Sequence, residues 1–155
     1  MRLRRLLLIF IALVFGGGVV HAQQTPISRY TRLTGNINFV ATGATLRSQD
    51  NNGNACAVTG SSTAPLTGIP GGASVVAAYL YWGGSGSAID SNVVLNGSGV
   101  IASRTFTATF NNGGTNFPYF GAFADVTSRV SGNGSFTFTG LTVNTCTPHC
   151  GSSAV

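Results

Sequence analysis

The ten residues Ala73–Trp82 constrain the fold more than any other stretch of this 155-residue chain. They are apolar almost throughout and are followed by a glycine-rich segment, Gly83–Gly86, that ends the pattern. Successive side chains of a strand point to opposite faces, and here both resulting sets are apolar. The two sets are Val75, Ala77, Tyr79 and Tyr81, and Val76, Ala78, Leu80 and Trp82. Because β-branched and aromatic residues favour strands, we predict a strand covered on both faces, with the Tyr81 and Trp82 rings packed inside.

Short apolar runs separated by turns rich in glycine and asparagine make up most of the remaining chain. The pair Asn96-Gly97 lies between two such runs and predicts a hairpin, because both residues tolerate positive φ. Asp125–Val130 is predicted as a short helical turn that starts at Asp125, since aspartate is a good N-cap. The runs predicted as strands are Asn92–Leu95, Val100–Phe110 and Ser135–Thr139, together with Asn36–Leu46 as one bulged strand or two short ones. Phe117–Val130 is less regular, and its alternating apolar residues run from Phe120 to Val126.

These runs predict an all-β protein, specifically an antiparallel β-sandwich of the jelly-roll or immunoglobulin-like kind. The polar stretch Arg47–Gly72 contains no comparable run and is predicted as a long loop. It is long for a loop in a compact domain, so we also consider a short strand near Ala55–Val58.

The N-terminus, Met1–Ala22, has the organisation of a secretory signal peptide. Arginines precede the apolar run Leu6–Phe15, and small residues stand where a signal peptidase cleaves. The alternative is an uncleaved membrane anchor, for which the run is short. The predicted organisation is therefore a signal peptide (1–22), a polar lead-in (23–35) and a β-sandwich domain (36–155). The mature protein would be secreted or at the cell surface, with no membrane association after cleavage.

Charged groups are scarce: the chain has eight Lys plus Arg and three Asp plus Glu. There is no lysine, which excludes lysine isopeptide cross-links, and His149 is the one histidine after the signal. Acid–base catalysis needs histidines or paired carboxylates, so we predict a protein without catalytic activity or cofactor. The arginines after the signal are dispersed, which argues against nucleic-acid binding.

Three cysteines, Cys56, Cys146 and Cys150, follow the signal. An exported protein can form disulfides, so we expect Cys56 to pair with Cys146 or Cys150, leaving one thiol without an internal partner. The alternatives are a metal site that includes His149, and a nucleophilic Cys150.

The loop around Asp50 offers a weaker candidate site. Asp50, Asn52 and Asn54 put oxygen-bearing side chains at alternate positions, as calcium loops do. Glycine follows at the fourth place instead of the sixth, and Ser61 stands where a calcium loop has an acidic residue. A polar Asn/Gly loop therefore accounts for the pattern better, and calcium stays an alternative.

Phe117, Tyr119 and Phe120 follow an Asn/Gly turn and are the aromatic residues most expected to face a ligand. Such a ligand would be an extracellular glycan or a host or cell-surface protein. Tyr79, Tyr81 and Trp82 are aromatic too, but a strand with two apolar faces favours their packing.

Four blocks of the sequence resemble a bacterial family. They are Ala77–Gly86, Arg104-Thr105, Gly121–Thr127 and Gly140–Val143. This combination is similar to the N-terminal module of large secreted or cell-surface bacterial proteins, often followed by conserved surface-repeat domains. The resemblance implies a β-sandwich and no catalytic residues. Similar sequences continue into another aromatic strand after the cysteine-containing turn, which implies that this chain is truncated at its C-terminus.

The function expected from these observations is structural or adhesive, as a non-catalytic module of a bacterial surface or extracellular protein. Two alternatives remain open. One is a carbohydrate-binding module that uses exposed aromatic rings, and the other is an accessory domain of an extracellular hydrolase.

Overall fold

Two antiparallel sheets packed against each other form the fold. A computed structural model describes residues 28–50, 54 and 57–142. The strands of this part of the chain are β1 (Ser61–Leu66), β2 (Tyr79–Ser85), β3 (Asn92–Leu95), β4 (Ser98–Ile101), β5 (Arg104–Asn112), β6 (Thr115–Asp125) and β7 (Gly134–Thr139). One sheet has the order β1-β7-β3-β4 and the other β2-β6-β5. The predicted all-β sandwich is confirmed. No helix among the described residues has the length and apolar character needed to cross a membrane.

The core lies between the inner faces of the two sheets. Its largest side chain is Trp82 of β2, which is 8% exposed. The indole Nε1–H donates to the Asp90 carbonyl oxygen at 2.9 Å, so the buried donor is satisfied. The other buried members are Val93, Leu95, Val100, Phe120, Ala122, Ala124 and Val126. The core is therefore built from alternate residues of β2, β3, β4 and β6, as a half-buried strand pattern requires.

Two tight turns set the register of neighbouring strands. Asn96 and Gly97 have φ of 49° and 76°, as expected for an Asn-Gly hairpin, and β3 pairs with β4 across them. The Asn96 side chain also accepts a hydrogen bond from the Thr137 N–H at 2.7 Å, which ties the turn to β7. Gly113 and Gly114 have positive φ and connect β5 to β6.

The predicted run Val100–Phe110 is divided between the two sheets. β4 ends at Ile101 and β5 begins at Arg104. Between them, the Ala102 N–H donates to the Ser91 carbonyl, whereas the Ser103 N–H donates to the Phe123 carbonyl on β6. The chain thus passes from one sheet to the other within two residues, which the apolar pattern did not indicate.

The strand predicted at Asn36–Leu46 is absent. These residues lie on the surface, and Phe39 is 84% exposed. β1 lies instead inside the stretch predicted as a loop. It occupies a sheet edge, where Pro65 is tolerated because the missing N–H faces away from the neighbouring strand. Near the short strand considered at Ala55–Val58, an isolated bridge joins Arg47 and Val58.

The predicted helical turn is present as one 3₁₀ turn, Thr127–Arg129, with Val126 at its N-cap position. Asp125 precedes this cap, and its Oδ1 accepts from the Thr127 N–H at 2.9 Å and from the Thr127 hydroxyl at 2.6 Å. These hydrogen bonds hold the pKa of Asp125 below its ordinary value. The Thr127 Oγ1 also accepts from the Ala78 N–H at 3.0 Å, so the turn fixes the start of β2 against the end of β6.

Candidate functional site

The three-stranded sheet has an aromatic face on the side that points away from the core. Trp82, Phe120 and Ala122 point into the core, so their neighbours in sequence point the other way. We call the resulting set the outer aromatic face: Tyr79, Tyr81, Gly83 and Ser85 of β2, Phe117, Tyr119, Gly121, Phe123 and Asp125 of β6, and Arg104, Phe106, Ala108 and Phe110 of β5.

A cluster of rings surrounds Phe123 at one end of this face. Phe123 is 2% exposed although it does not belong to the core between the sheets. Its ring centroid lies 4.9 Å from that of Tyr81, 5.4 Å from that of Tyr79 and 4.7 Å from that of Tyr30, which comes from the lead-in segment. These separations are those of favourable aromatic pairs. Desolvation, with the nearby Asp125 carboxylate, raises the pKa of Tyr79 above its ordinary value.

Glycines form a trough across the middle of the outer aromatic face. Gly83 of β2 is the register partner of Gly121 of β6. A Cβ on Gly83 would lie 2.8 Å from the Phe120 carbonyl oxygen, so this position has no room for a side chain. A Cβ on Gly121 would lie 3.8 Å from Phe106 Cδ2, which is an ordinary contact. The floor of the trough is therefore backbone, exposed at Gly83 and bordered by Phe106 at Gly121.

Tyrosines border the trough on either side. The Tyr81 side chain is 66% exposed and that of Tyr119 is 44% exposed. Tyr119 and Phe123 are four residues apart on β6, so the bordering rows are separated by about 14 Å along the strands. Exposed rings beside an accessible backbone suit the binding of a flat, partly apolar ligand.

The structure separates the three aromatic residues that were expected to face a ligand. Phe117 and Tyr119 lie on the outer aromatic face, where Phe117 is half-buried and its ring centroid lies 6.5 Å from that of Phe110. Phe120 is a correction: it points inward and is buried in the core, because its position on β6 alternates with that of Tyr119. A ligand-facing role for Phe117 and Tyr119 stays a prediction.

The strand predicted at Ala73–Trp82 is also partly corrected. It begins only at Tyr79 and continues through Gly83 and Gly84 to Ser85, so the glycines expected to end it belong to β2. Trp82 is packed as predicted, but Tyr81 is largely exposed. Among the described residues, the second face of β2 meets side chains of its own sheet and of the lead-in, not of the other sheet. Sequence reasoning therefore missed Tyr81 as a surface residue. It also missed Tyr30, whose ring packs on that face from a segment predicted only as a polar lead-in.

The other predicted sites are described in part or not at all. Cys56, Cys146, Cys150 and His149 lie outside the described residues, as does Asn52 of the calcium alternative. Arg47 Nη2 donates to the Asn54 carbonyl oxygen at 3.3 Å, and the Asn54 N–H donates to the Asp50 carbonyl oxygen at 3.2 Å. A guanidinium beside Asn54 competes electrostatically with a cation at that oxygen. In the described part of the chain, no three His, Cys, Asp or Glu residues gather as a metal site.

Comparisons with protein families, with curated proteins and with solved structures found no match to this chain.

Proposed function

We propose that this protein is an exported, non-catalytic module of a bacterial surface or extracellular protein, and that it adheres to its ligand through the outer aromatic face. Export is inferred from the signal-like sequence of Met1–Ala22. The observation that supports adhesion is the trough floored by Gly83 and Gly121 and bordered by the exposed rings of Tyr81 and Tyr119. Large aromatic side chains left exposed together on one sheet face are typical of interaction surfaces.

A carbohydrate-binding module is the second candidate, and the trough favours it. Sugar rings present C–H faces that pack on aromatic rings and hydroxyl groups that hydrogen-bond to polar neighbours. The tyrosine hydroxyls of the trough and the Ser85 side chain on the same face supply polar groups of this kind. Glycan binding would thus be the form that adhesion takes at this site.

Binding screens with two trough variants test the proposal. The exported protein is applied to immobilised glycans and to extracellular matrix proteins, and any ligand found is titrated. Tyr119→Ala removes a bordering ring, and Gly121→Leu fills the floor. We expect each variant to weaken binding about tenfold or more, since loss of a ring contact or of the space for the ligand removes about 1.4 kcal/mol or more.

Thr107→Ala is the matched control. Thr107 is exposed on β5 and points away from the outer aromatic face, so binding should persist in this variant. Urea unfolding of each variant establishes that it is folded before binding is compared. Retention of full affinity by both trough variants, or a loss in Thr107→Ala as well, would contradict the assignment of the binding surface.

A further inference from the structure

The chain's own residues Ser28–Tyr30, which we call the arm, occupy one end of the outer aromatic face. The Tyr30 ring packs edge-on against Phe123 and Tyr79, with centroid distances of 4.7 and 5.5 Å. The guanidinium carbon of Arg104 lies 4.9 Å from the Tyr30 centroid, which is cation–π distance. Arg104 Nη1 also donates to the Ser28 carbonyl oxygen at 3.2 Å and to the Ser28 hydroxyl at 3.3 Å. This seat therefore recognises both an aromatic ring and the backbone of an extended segment.

The arm is joined to the sandwich by an exposed tether, residues 31–41. Every residue from 28 to 45 is exposed, and the hydrogen bonds of the tether are local, from the Ile37 N–H to the Gly35 carbonyl and from the Phe39 N–H to Asn38 Oδ1. The next hydrogen bond to the sandwich comes from the Thr42 hydroxyl to the Pro65 carbonyl oxygen. Eleven extended residues span about 36 Å, which is enough to reach a neighbouring molecule.

The tether also exposes apolar side chains that nothing in the described chain buries. Phe39 is 84% exposed, and Leu33, Ile37 and Val40 are each at least 40% exposed. Ile37, Phe39 and Ala41 alternate as in a strand, and residues 35–46 contain no charged side chain and no proline. Such a segment has the composition of a strand that lacks a partner.

We propose that two copies of this protein exchange arms, so that Ser28–Tyr30 of one copy occupies the seat formed by Arg104, Phe123 and Tyr79 of the other. The contacts of the arm are the same within one chain as between two, so the exchange itself loses no contacts. The gain comes from the tethers. In a two-fold arrangement they run antiparallel past each other, and pairing centred on Phe39 buries the apolar side chains of both copies. This inference goes beyond ligand binding and does not depend on it.

Complementation between two full-length variants tests the exchange. Tyr30→Ala damages the arm and leaves the seat intact, whereas Arg104→Ala damages the seat and leaves the arm intact. Sedimentation measures the dimer dissociation constant of the wild type, of each variant alone and of their mixture. Each substitution removes the same contacts from the monomer as from the dimer, so we expect each variant alone to keep a dissociation constant close to that of the wild type. The mixture should form a one-to-one heterodimer, because it alone restores a complete arm in a complete seat.

A second pair of variants separates exchange from other association. Phe39→Ser removes the exposed ring of the tether and should weaken the dimer without changing the urea midpoint of the monomer. Phe110→Ser removes a ring that is also largely exposed, on β5 away from the tether, and should leave the dimer unchanged. A non-reducing denaturing gel identifies covalent dimers formed by cysteines. A wild type that stays monomeric to about 0.5 mM, a dimer that is wholly covalent, or a dimer sensitive to Phe110→Ser and not to Phe39→Ser would overturn the proposal.

Discussion

Replacing Gly83 and Gly121 in turn by alanine compares two positions that differ mainly in the space around them. The two residues are register partners on adjacent strands. The new Cβ at Gly83 would lie 2.8 Å from the Phe120 carbonyl oxygen, well inside the 3.4 Å at which ordinary contact begins. This oxygen belongs to the backbone, so it cannot move away as a flexible side chain could. At Gly121 the nearest atom is Phe106 Cδ2, at 3.8 Å.

The magnitudes follow from two opposing effects. Alanine reduces the conformational freedom of the unfolded chain at either position, which raises the free energy of unfolding by about 0.4–1 kcal/mol. Overpacking at Gly83 lowers it by about 1–3 kcal/mol. We therefore expect Gly121→Ala to be slightly more stable than the wild type. Gly83→Ala should be less stable than Gly121→Ala by about 1–3 kcal/mol, since the effect on the unfolded chain cancels between the two.

Urea unfolding followed by tryptophan fluorescence provides the measurement. Trp82 is the single tryptophan of the chain and is buried in the core, so its emission reports on the whole sandwich. With a slope of about 1.5 kcal/mol/M, a difference of about 1.5 kcal/mol separates the two midpoints by about 1 M. Circular dichroism gives an independent signal, because position 83 adjoins the fluorophore. Midpoints that coincide would refute the inference that close backbone approach at Gly83 constrains the sheet.

Three further predictions concern single contacts. Asn96→Ala should lower the free energy of unfolding by about 1–3 kcal/mol, measured by urea titration. Alanine is strained at the positive φ of this position, and it cannot accept the hydrogen bond from the Thr137 N–H. Asp125 has a lower pKa in the folded than in the unfolded protein, so its stabilising effect is complete above about pH 4 and is lost as the pH falls through the folded pKa. Thr127→Val removes a hydrogen bond that causes this difference. Its urea midpoint should therefore fall less steeply between pH 6 and 2 than that of the wild type. Trp82→Phe should lower the free energy of unfolding by about 1–3 kcal/mol, measured by circular dichroism, because the partly buried Asp90 carbonyl loses its indole donor and the smaller ring leaves space.

The parts of the fold that depend on short-range chemistry were predictable from the sequence. The Asn96-Gly97 turn requires positive φ at both residues, and these side chains provide for it locally. The opposite directions of Tyr81 and Trp82 follow from the period of a strand. Neither the turn nor the alternation depends on the order of the strands in a sheet.

The errors arose where a strand depends on a distant partner. Asn36–Leu46 has a better strand pattern than Ser61–Leu66, yet the latter pairs with β7, whereas the former belongs to no strand of the described chain. Proline is unfavourable inside a sheet, but Pro65 is compatible with a sheet edge, and edges cannot be identified from composition.

The candidate site was only partly predictable for the same reason. The exposure of Tyr119 was predictable from its local context, but the burial of Phe120 depends on which face of β6 meets the other sheet. The contact between Tyr30 and Phe123 joins segments far apart in sequence, and no local pattern indicates it.

The pairing of β1 with β7 determines when β1 can enter its sheet as the chain is synthesised. The hydroxyls of Thr63 and Thr137 lie 2.8 Å apart in space and 74 positions apart in sequence. Because synthesis begins at the N-terminus, β1 stays unpaired until every other described strand has been made. The long-range pairing of β1 with β7 is then slow. During that interval Pro65 has no N–H to donate to a wrongly placed strand. The same residue that suits the edge of the finished sheet therefore also protects the nascent β1 from mispairing.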